Sequence, residues 1–370
     1  MLPESFHLEC RYYYHRLNDS EKRFYEFLVE RIMNLELEFI LQYDDIDLDY
    51  MPEDKRNLPK FLYHWTGEIE PFDIYNTYQY LLYDCPEFYY VNNCRMRQNL
   101  CGTIDIGLGK PEYSAAEIKE FNRRIDEIYD KFKHIEDDFE YEVAVHDYIV
   151  DTFSYDNEGR ENKRIGLPFL EMFTVVGFFK RGVAVCAAYS GLMQILLQRR
   201  GIPCAYLIAD AGDEGSKESH AWLAVKLDDS YYHLDITFDD HDDNESPRHE
   251  SFNVTDEEII SSGHEFRSES YPGIVCNETK YNYYRRRGLY YDTQEELRVG
   301  AETFVKEHSW CGKRQCFIFK TNKAITSEEV MNVVGTACIK FVTDFDGYLY
   351  DNSVYSFTMD FRPPEQKPKK

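Results

Sequence analysis

The stretch "GVAVCAAYSGLMQILLQRRGIP", residues 182–203, puts a cysteine where a helix should begin. Ala188, Leu192, Ile195 and Leu196, with Met193 and Leu197 beside them, recur at helical spacing. At the far end Arg199 and Arg200 suit the negative pole of a helix, Gly201 suits a left-handed C-terminal position, and Pro203 forbids continuation. Counting back from that stop places Cys186 in the first turn, soon after Gly182. A thiol there meets unpaired backbone N–H groups and the positive pole of the helix, and both favour the thiolate. Taken alone, the stretch reads more simply as a helix with a small buried cysteine, the commoner use of that residue. The rest of the chain has to decide.

Downstream, "CAYLIAD" is a short buried strand, and "SHAWLAVKLDDSYYHLDITFDD" contains two more, Ala221–Leu227 and Ser230–Thr237, joined at Asp228-Asp229. A two-residue turn there sets Leu227 opposite Ser230. One side of the pair then carries Ala221, Leu223, Val225 and Leu227 with Tyr232, Leu234 and Ile236, a consistent core face. The other side carries His220 and Trp222 with Asp235 and Thr237. Asp235 falls opposite Trp222 and diagonal to His220, roughly 7–8 Å away at the backbone and within side-chain reach. A slip of one residue would spoil both faces. An imidazole beside a thiol can take its proton, and a carboxylate on the far ring nitrogen fixes the tautomer and stabilises the charged ring. Cys186, His220 and Asp235 are therefore the candidate catalytic residues. Singly, His220 also reads as a hydrogen-bonded strand-end histidine and Asp235 as a turn acceptor.

The order and wording of these segments resemble the transglutaminase-like superfamily of papain-type cysteine enzymes, above all its bacterial protease-like branch. The family's nucleophile opens a helix that ends in a Gly-Ile-Pro turn, matched by Cys186 and "RRGIPC". Its histidine opens a His-Ala-Trp strand, matched by "HAWLAV" at His220, and its acid lies in a segment matched by "LDITFDD" at Asp235. "VHDYIVDTFSYD", ending in Tyr155 and Asp156, resembles the helix upstream of the nucleophile, and "SFNVTDEEI" the segment after the acid. "YQYLLYDCPEFYYV" resembles the N-terminal region of some bacterial members. Ala188 stands where the family commonly has glycine, and Phe238 where tryptophan is common. The resemblance covers roughly residues 115 to 280. It implies an α+β fold with a papain-type core: a nucleophile at a helix N-terminus packed on an antiparallel sheet. It also implies a thiol enzyme in which Cys186 attacks an amide, His220 relays protons and Asp235 orients His220. The acyl group would pass to water, as in a peptidase or amidase, or to an amine. The backbone N–H of Cys186 is a natural oxyanion donor. Acyl transfer to arylamines uses a related triad, but "HAWLAV" and "LDITFDD" favour the transglutaminase-like side. The alternative from another class is a catalytically silent scaffold that binds a protein or peptide partner.

Outside this segment the chain divides by composition. Residues 1–112 form an N-terminal α/β region. It opens with a helix capped by Asn18 or Ser20 and faced by Phe24, Phe27, Leu28 and Ile32, followed by "LEFILQY" and "EFYYV" as strands. Residues 113–281 form the core, beginning at a capping box of Ser114 and Glu117. Residues 282–362 alternate "LYYDT", a helix over Glu295–Glu307, "CFIFK", a helix after Thr326 and "YSFTMDF", a small α/β module. Residues 363–370 read as a mobile tail.

Net charge is -26, which repels nucleic acid and anionic membranes and favours a peptide or protein substrate with basic segments. The one basic run, Arg285, Arg286 and Arg287, reads as a bend or docking patch. The N-terminus lacks the pattern of a secretory signal, and the longest apolar run, Met172 to Phe179, is too short for a bilayer. The expected location is cytoplasmic, with no membrane insertion, or extracytoplasmic if a leader has been removed. The ten cysteines show no disulfide framework. His308, Cys311 and Cys316, and likewise His241 and His249 in their acidic loop, lack paired metal-ligand spacing. No metal or cofactor is expected.

Overall fold

The computed structural model describes residues 6–42, 62–65, 71–91, 94–99, 103–108, 113–162, 170–212, 215, 217–241, 249–266, 273–350 and 353–363. The fold is α+β. Contacts divide it into two compact units, Met1–Tyr206 and Leu207–Lys370. The expected mobile tail lies outside the described residues apart from Pro363.

In the first unit, Asn18 caps the helix Asp19–Met33, and Glu21 completes a capping box. A four-stranded sheet takes the order β2-β1-β4-β3, with β1 Glu38–Gln42, β2 Leu62–His64, β3 Arg95–Asn99 and β4 Thr103–Gly107. "EFYYV" is not a strand. Pro86 opens a 3-10 turn over Pro86–Phe88, and Phe88, Tyr89, Tyr90 and Val91 are all buried without alternation. The apolar run fills core on every side and gains nothing from a sheet ladder. Ser114 and Glu117 form the expected capping box at the helix Ala115–Phe132, and the helix Asp138–Thr152 follows.

The helix Cys186–Arg200 begins at the cysteine and stops at Gly201, whose φ of 87° is the left-handed conformation that glycine adopts without strain. The apolar face expected of this helix is in fact most of its circumference. From Ala188 to Gln198 every residue is buried, including the polar Ser190, Gln194 and Gln198. A helix buried on nearly every side organises the unit around it.

Arg11 holds the chain start to the far end of that helix. Its guanidinium is buried and donates to the carbonyls of Phe6 and Asp84, to Glu87 at 2.6 Å, and to Gln198 Oε1. A buried charge is tolerated when every donor finds an acceptor.

In the second unit, strands β7 Cys204–Ala211, which contains the division between the units, β8 Glu218–Leu227, β9 Ser230–Leu234 and β10 Phe252–Val254 form a sheet of order β10-β9-β8-β7. The β8–β9 pairing runs from Leu227↔Ser230 to Leu223↔Leu234, the register that the alternation requires. Asp228 takes φ 52° in the turn, a conformation that Asp tolerates. The expected second strand is three residues too long: it ends at Leu234, because Asp235 Oδ1 accepts the N–H groups of Thr237 (3.0 Å) and Phe238 (3.3 Å) and folds the chain into a turn.

Residues after 282 form a sheet of their own, order β11-β12-β14-β13, with β11 Tyr290–Tyr291, β12 Arg314–Thr321, β13 Val342–Leu349 and β14 Val354–Phe361. The helices Gln294–His308 and Ser327–Cys338, each with a Thr/Glu capping box, share one apolar core with it, including Leu297, Val305, Phe317, Phe319, Val334 and Phe357. The basic run, expected as a bend or docking patch, is the end of a short helix, Tyr283–Arg286, where Arg285 lies 3.7 Å from the ring centre of Tyr290 and pairs with Asp292.

Replacing Arg11 with Ala should lower the unfolding free energy of the protein by about 3 kcal/mol, because Glu87 and Gln198 lose their partner. Arg11→Lys should recover little of it, since one ammonium cannot reach four separate acceptors. Urea unfolding followed by tyrosine fluorescence measures both.

Candidate active site

Cys186 lies in the first unit, and the backbone leading to it is held from both sides. Strand β6, Val183–Ala184, pairs in parallel with β5, Ser154–Tyr155. The N–H of Val185 donates to Met172 O at 2.9 Å, and that of Asp156 to Ala184 O at 2.9 Å. No side chain caps the helix start. Cys186 retains 9% exposure, whereas Ala188 has none, so the methyl at the family's glycine position is packed away from solvent.

His220 and Asp235 lie in the second unit, and the structure brings them together. His220 Nε2 is 2.6 Å from Asp235 Oδ2. The turn after Leu234 aims the carboxylate at the diagonal neighbour, as the register implied. Asp235 is fully buried, and the His220 side chain keeps 10% exposure. Burial alone would push Asp235 up. The charge on His220 and the hydrogen bonds from His220 and His264 outweigh it and hold the carboxyl below the ordinary carboxylate range. An ionised carboxylate only accepts, so Nε2 of His220 carries the hydrogen. In the neutral ring Nδ1 is then the basic nitrogen.

A third residue completes the group. His264 Nε2 lies 2.8 Å from the same Asp235 oxygen, and its side chain is fully buried. Nothing in the sequence reading pointed to it. A local signal existed: "TDEEIISSGH" opens with a Thr255/Glu258 capping box and closes on Gly263, whose φ is +95°. A Cβ at Gly263 would come 2.7 Å from Gly212 O. The residue after such a glycine has a fixed position. Its 29-residue separation from Asp235 gave no hint of contact.

Aromatic rings wall the group. The Trp222 ring centre is 6.0 Å from that of His220 and 4.9 Å from that of His264, and Phe238 lies 5.2 Å and 4.7 Å from the same two rings. Trp222 is itself fixed. Its Nε1–H donates to His233 Nδ1 at 3.1 Å, and His233 Nε2–H donates to Asp256 at 2.8 Å.

The weaker sequence candidates have ordinary partners. His308 Nδ1 donates to Phe304 O at 2.8 Å, Cys316 contacts Ser356 Oγ, and His249 stacks on Tyr283. His241 lies 4.0 Å from Glu250, and the rest of its acidic loop, 242–248, lies outside the described residues. Among the described residues no helix is long and apolar enough to cross a membrane.

Comparison with known proteins bears on the segment that holds Cys186, His220 and Asp235. Residues 126–236 match the family model of the transglutaminase-like superfamily. This segment is transglutaminase-like. No curated protein matches the chain. Among solved structures, a candidate cysteine protease from Cytophaga hutchinsonii aligns at 12% identity over 39% of this chain and 61% of its own, with a TM-score of 0.26. A protein described as a TGase aligns at 11% identity over 63% of this chain and 64% of its own, with a TM-score of 0.32. The chain thus spans less than two thirds of either protein. The transglutaminase-like segment ends one residue after Asp235, so His264 lies beyond it.

The depressed Asp235 has a stability consequence with a definite sign. A carboxyl whose folded value lies below its unfolded one contributes stability above about pH 4, and loses it as the pH falls further. Asp235→Asn should cost about 3 kcal/mol near pH 6. The gap to the native protein should shrink steadily below about pH 4, as read from melting temperatures across pH.

Proposed function

We propose that the protein is a transglutaminase-like thiol enzyme acting on peptide or amide substrates. The core would be residues 113–281, with 1–112 and 282–362 as flanking regions. The observation that carries the reading is the 2.6 Å bond from His220 to a buried, ionised Asp235, within the same family-matched segment that starts a helix at Cys186. A carboxylate that accepts from Nε2 leaves Nδ1 of His220 to exchange protons with a nucleophile.

In this reading Cys186 Sγ attacks the substrate carbonyl carbon as His220 Nδ1 holds the thiol proton. The tetrahedral oxyanion takes a hydrogen bond from the Cys186 backbone N–H, a helix N-terminal group. His220 then gives the proton to the leaving nitrogen, the C–N bond breaks, and a thioester remains on Cys186. Water or a primary amine, deprotonated by His220, attacks the thioester and restores the thiol. The same residues serve hydrolysis and transfer. The net charge of -26 supports substrates with basic segments.

Iodoacetamide should label Cys186 ahead of the exposed Cys311 near pH 7. Turnover of a library of peptide amides, with and without an added primary amine, should fall on the order of 10⁴-fold in Cys186→Ala and His220→Ala, and less in Asp235→Ala. The balance of acid and amine adduct in the products separates hydrolysis from transfer. Equal labelling of Cys186 and Cys311, with no turnover, would leave the chain as a binding scaffold.

A further inference from the structure

We propose that His264 is a positioning residue of this site, fixing the Asp235 carboxylate and, through it, the ring of His220. The inference rests on the reading of Cys186, His220 and Asp235 as a nucleophile system, and it adds a residue outside the family-matched segment.

Asp235 has two oxygens, and all of their hydrogen bonds are directed. Oδ1 accepts from the backbone N–H groups of Thr237 and Phe238. Oδ2 accepts from His220 at 2.6 Å and from His264 at 2.8 Å. Because the carboxylate is held ionised, Nε2 of His264 must donate. Nδ1 of His264, the acceptor in the neutral ring, lies 3.3 Å from Ser262 Oγ, whose hydroxyl can donate to it, so the ring is held at both nitrogens. Its backbone is anchored too. The N–H of Gly263 donates to Ile260 O, and that of Glu265 to Asp210 O at 2.8 Å. His264 is thus a rigid donor brought to the carboxylate by a helix end and a strand bridge. Without it, Oδ2 of the buried carboxylate would keep one donor. The carboxylate could then turn about its Cβ–Cγ bond and carry His220 with it. Packing adds a second hold, since Trp222 and Phe238 touch both imidazoles.

A metal ion is the rival occupant. The three ligand atoms of His220, Asp235 and His264 lie within 4.8 Å of one another. Two ligands on one zinc, each bonded at about 2.0–2.1 Å in tetrahedral array, stand about 3.3 Å apart. The separations of 2.6 and 2.8 Å are hydrogen-bond lengths.

Two substitutions separate donation from packing. His264→Phe keeps a ring of similar shape and removes the donor. His264→Gln loses the ring and keeps an N–H near the position of Nε2. The readout is the iodoacetamide rate at Cys186 relative to Cys311 in the same molecule, with melting temperatures to confirm folding. The expected result is a fall of about tenfold or more in His264→Phe and largely retained reactivity in His264→Gln. The reverse order, or no change in either, overturns the assignment while leaving the thiol-enzyme reading intact. A native Cys186 no faster than Cys311 overturns both. On the native protein, long-range ¹H–¹⁵N spectra should show hydrogen on Nε2 of His264. A lone pair there, or stoichiometric zinc that is lost in His264→Phe, overturns the hydrogen-bond role directly.

Discussion

The bond between His220 and Asp235 depends on a register set by a turn of two residues. Asp228, at φ 52°, and Asp229 close the hairpin so that Leu227 faces Ser230. Every later pair follows from that one. Shifting the pairing by one residue would exchange the faces that Trp222 and Leu223 share with the partner strand and turn Asp235 away from His220. The constraint is local, a matter of Asp tolerating a left-handed conformation, but its effect is to put a carboxylate and an imidazole within 2.6 Å. Where the ladder stops, the chemistry starts. The carboxylate that ends the strand by binding two backbone N–H groups is the one that binds the histidines.

Both units bury charge, and both do so by the same physical solution. Arg11 spends its guanidinium donors on carbonyls, a carboxylate and an amide, and Asp235 spends its lone pairs on four N–H groups. Desolvation would expel either charge if its partners were incomplete. Such sites resist partial change, because removing any partner leaves the rest uncompensated. The same logic extends outward to Trp222, whose N–H ends on His233 and then on Asp256. A fully buried indole needs an acceptor, and a neutral histidine supplies it only if its other nitrogen has somewhere to donate.

Much of this was legible in the sequence because it is written in short-range signals. The start and stop of the Cys186 helix, the β8–β9 register, the cap at Asn18 and the capping box at Ser114 are each decided within a few residues. What failed depends on tertiary context. "EFYYV" looks like a strand because aromatic and β-branched residues favour strands, but Pro86 and burial on all sides make it a turn. Strand β13 was invisible because Asp344, Asp346 and Gly347 read as a loop. At a sheet edge their polarity is no penalty, and Asp344 and Asp346 are exposed. The helix burial was under-read for a related reason: Gln194 and Gln198 look like a solvent face until their partners, Tyr83 O and Arg11, are known.

His264 shows where such reading ends. Its immediate surroundings are legible as a capped helix closed by a glycine, yet its importance comes from where the other end of the contact lies. No periodicity links it to Asp235, so only the folded chain can pair them. The pairing also changes what Asp235 can do. A carboxylate with one donor pulls on that donor's charge, whereas one shared among four N–H groups has its charge dispersed over all of them. Asp235 therefore holds His220 in place by fixed hydrogen bonds as well as by charge. Orientation comes from the number of fixed bonds, and here those bonds come from a turn, a strand end and a helix end that no single segment contains.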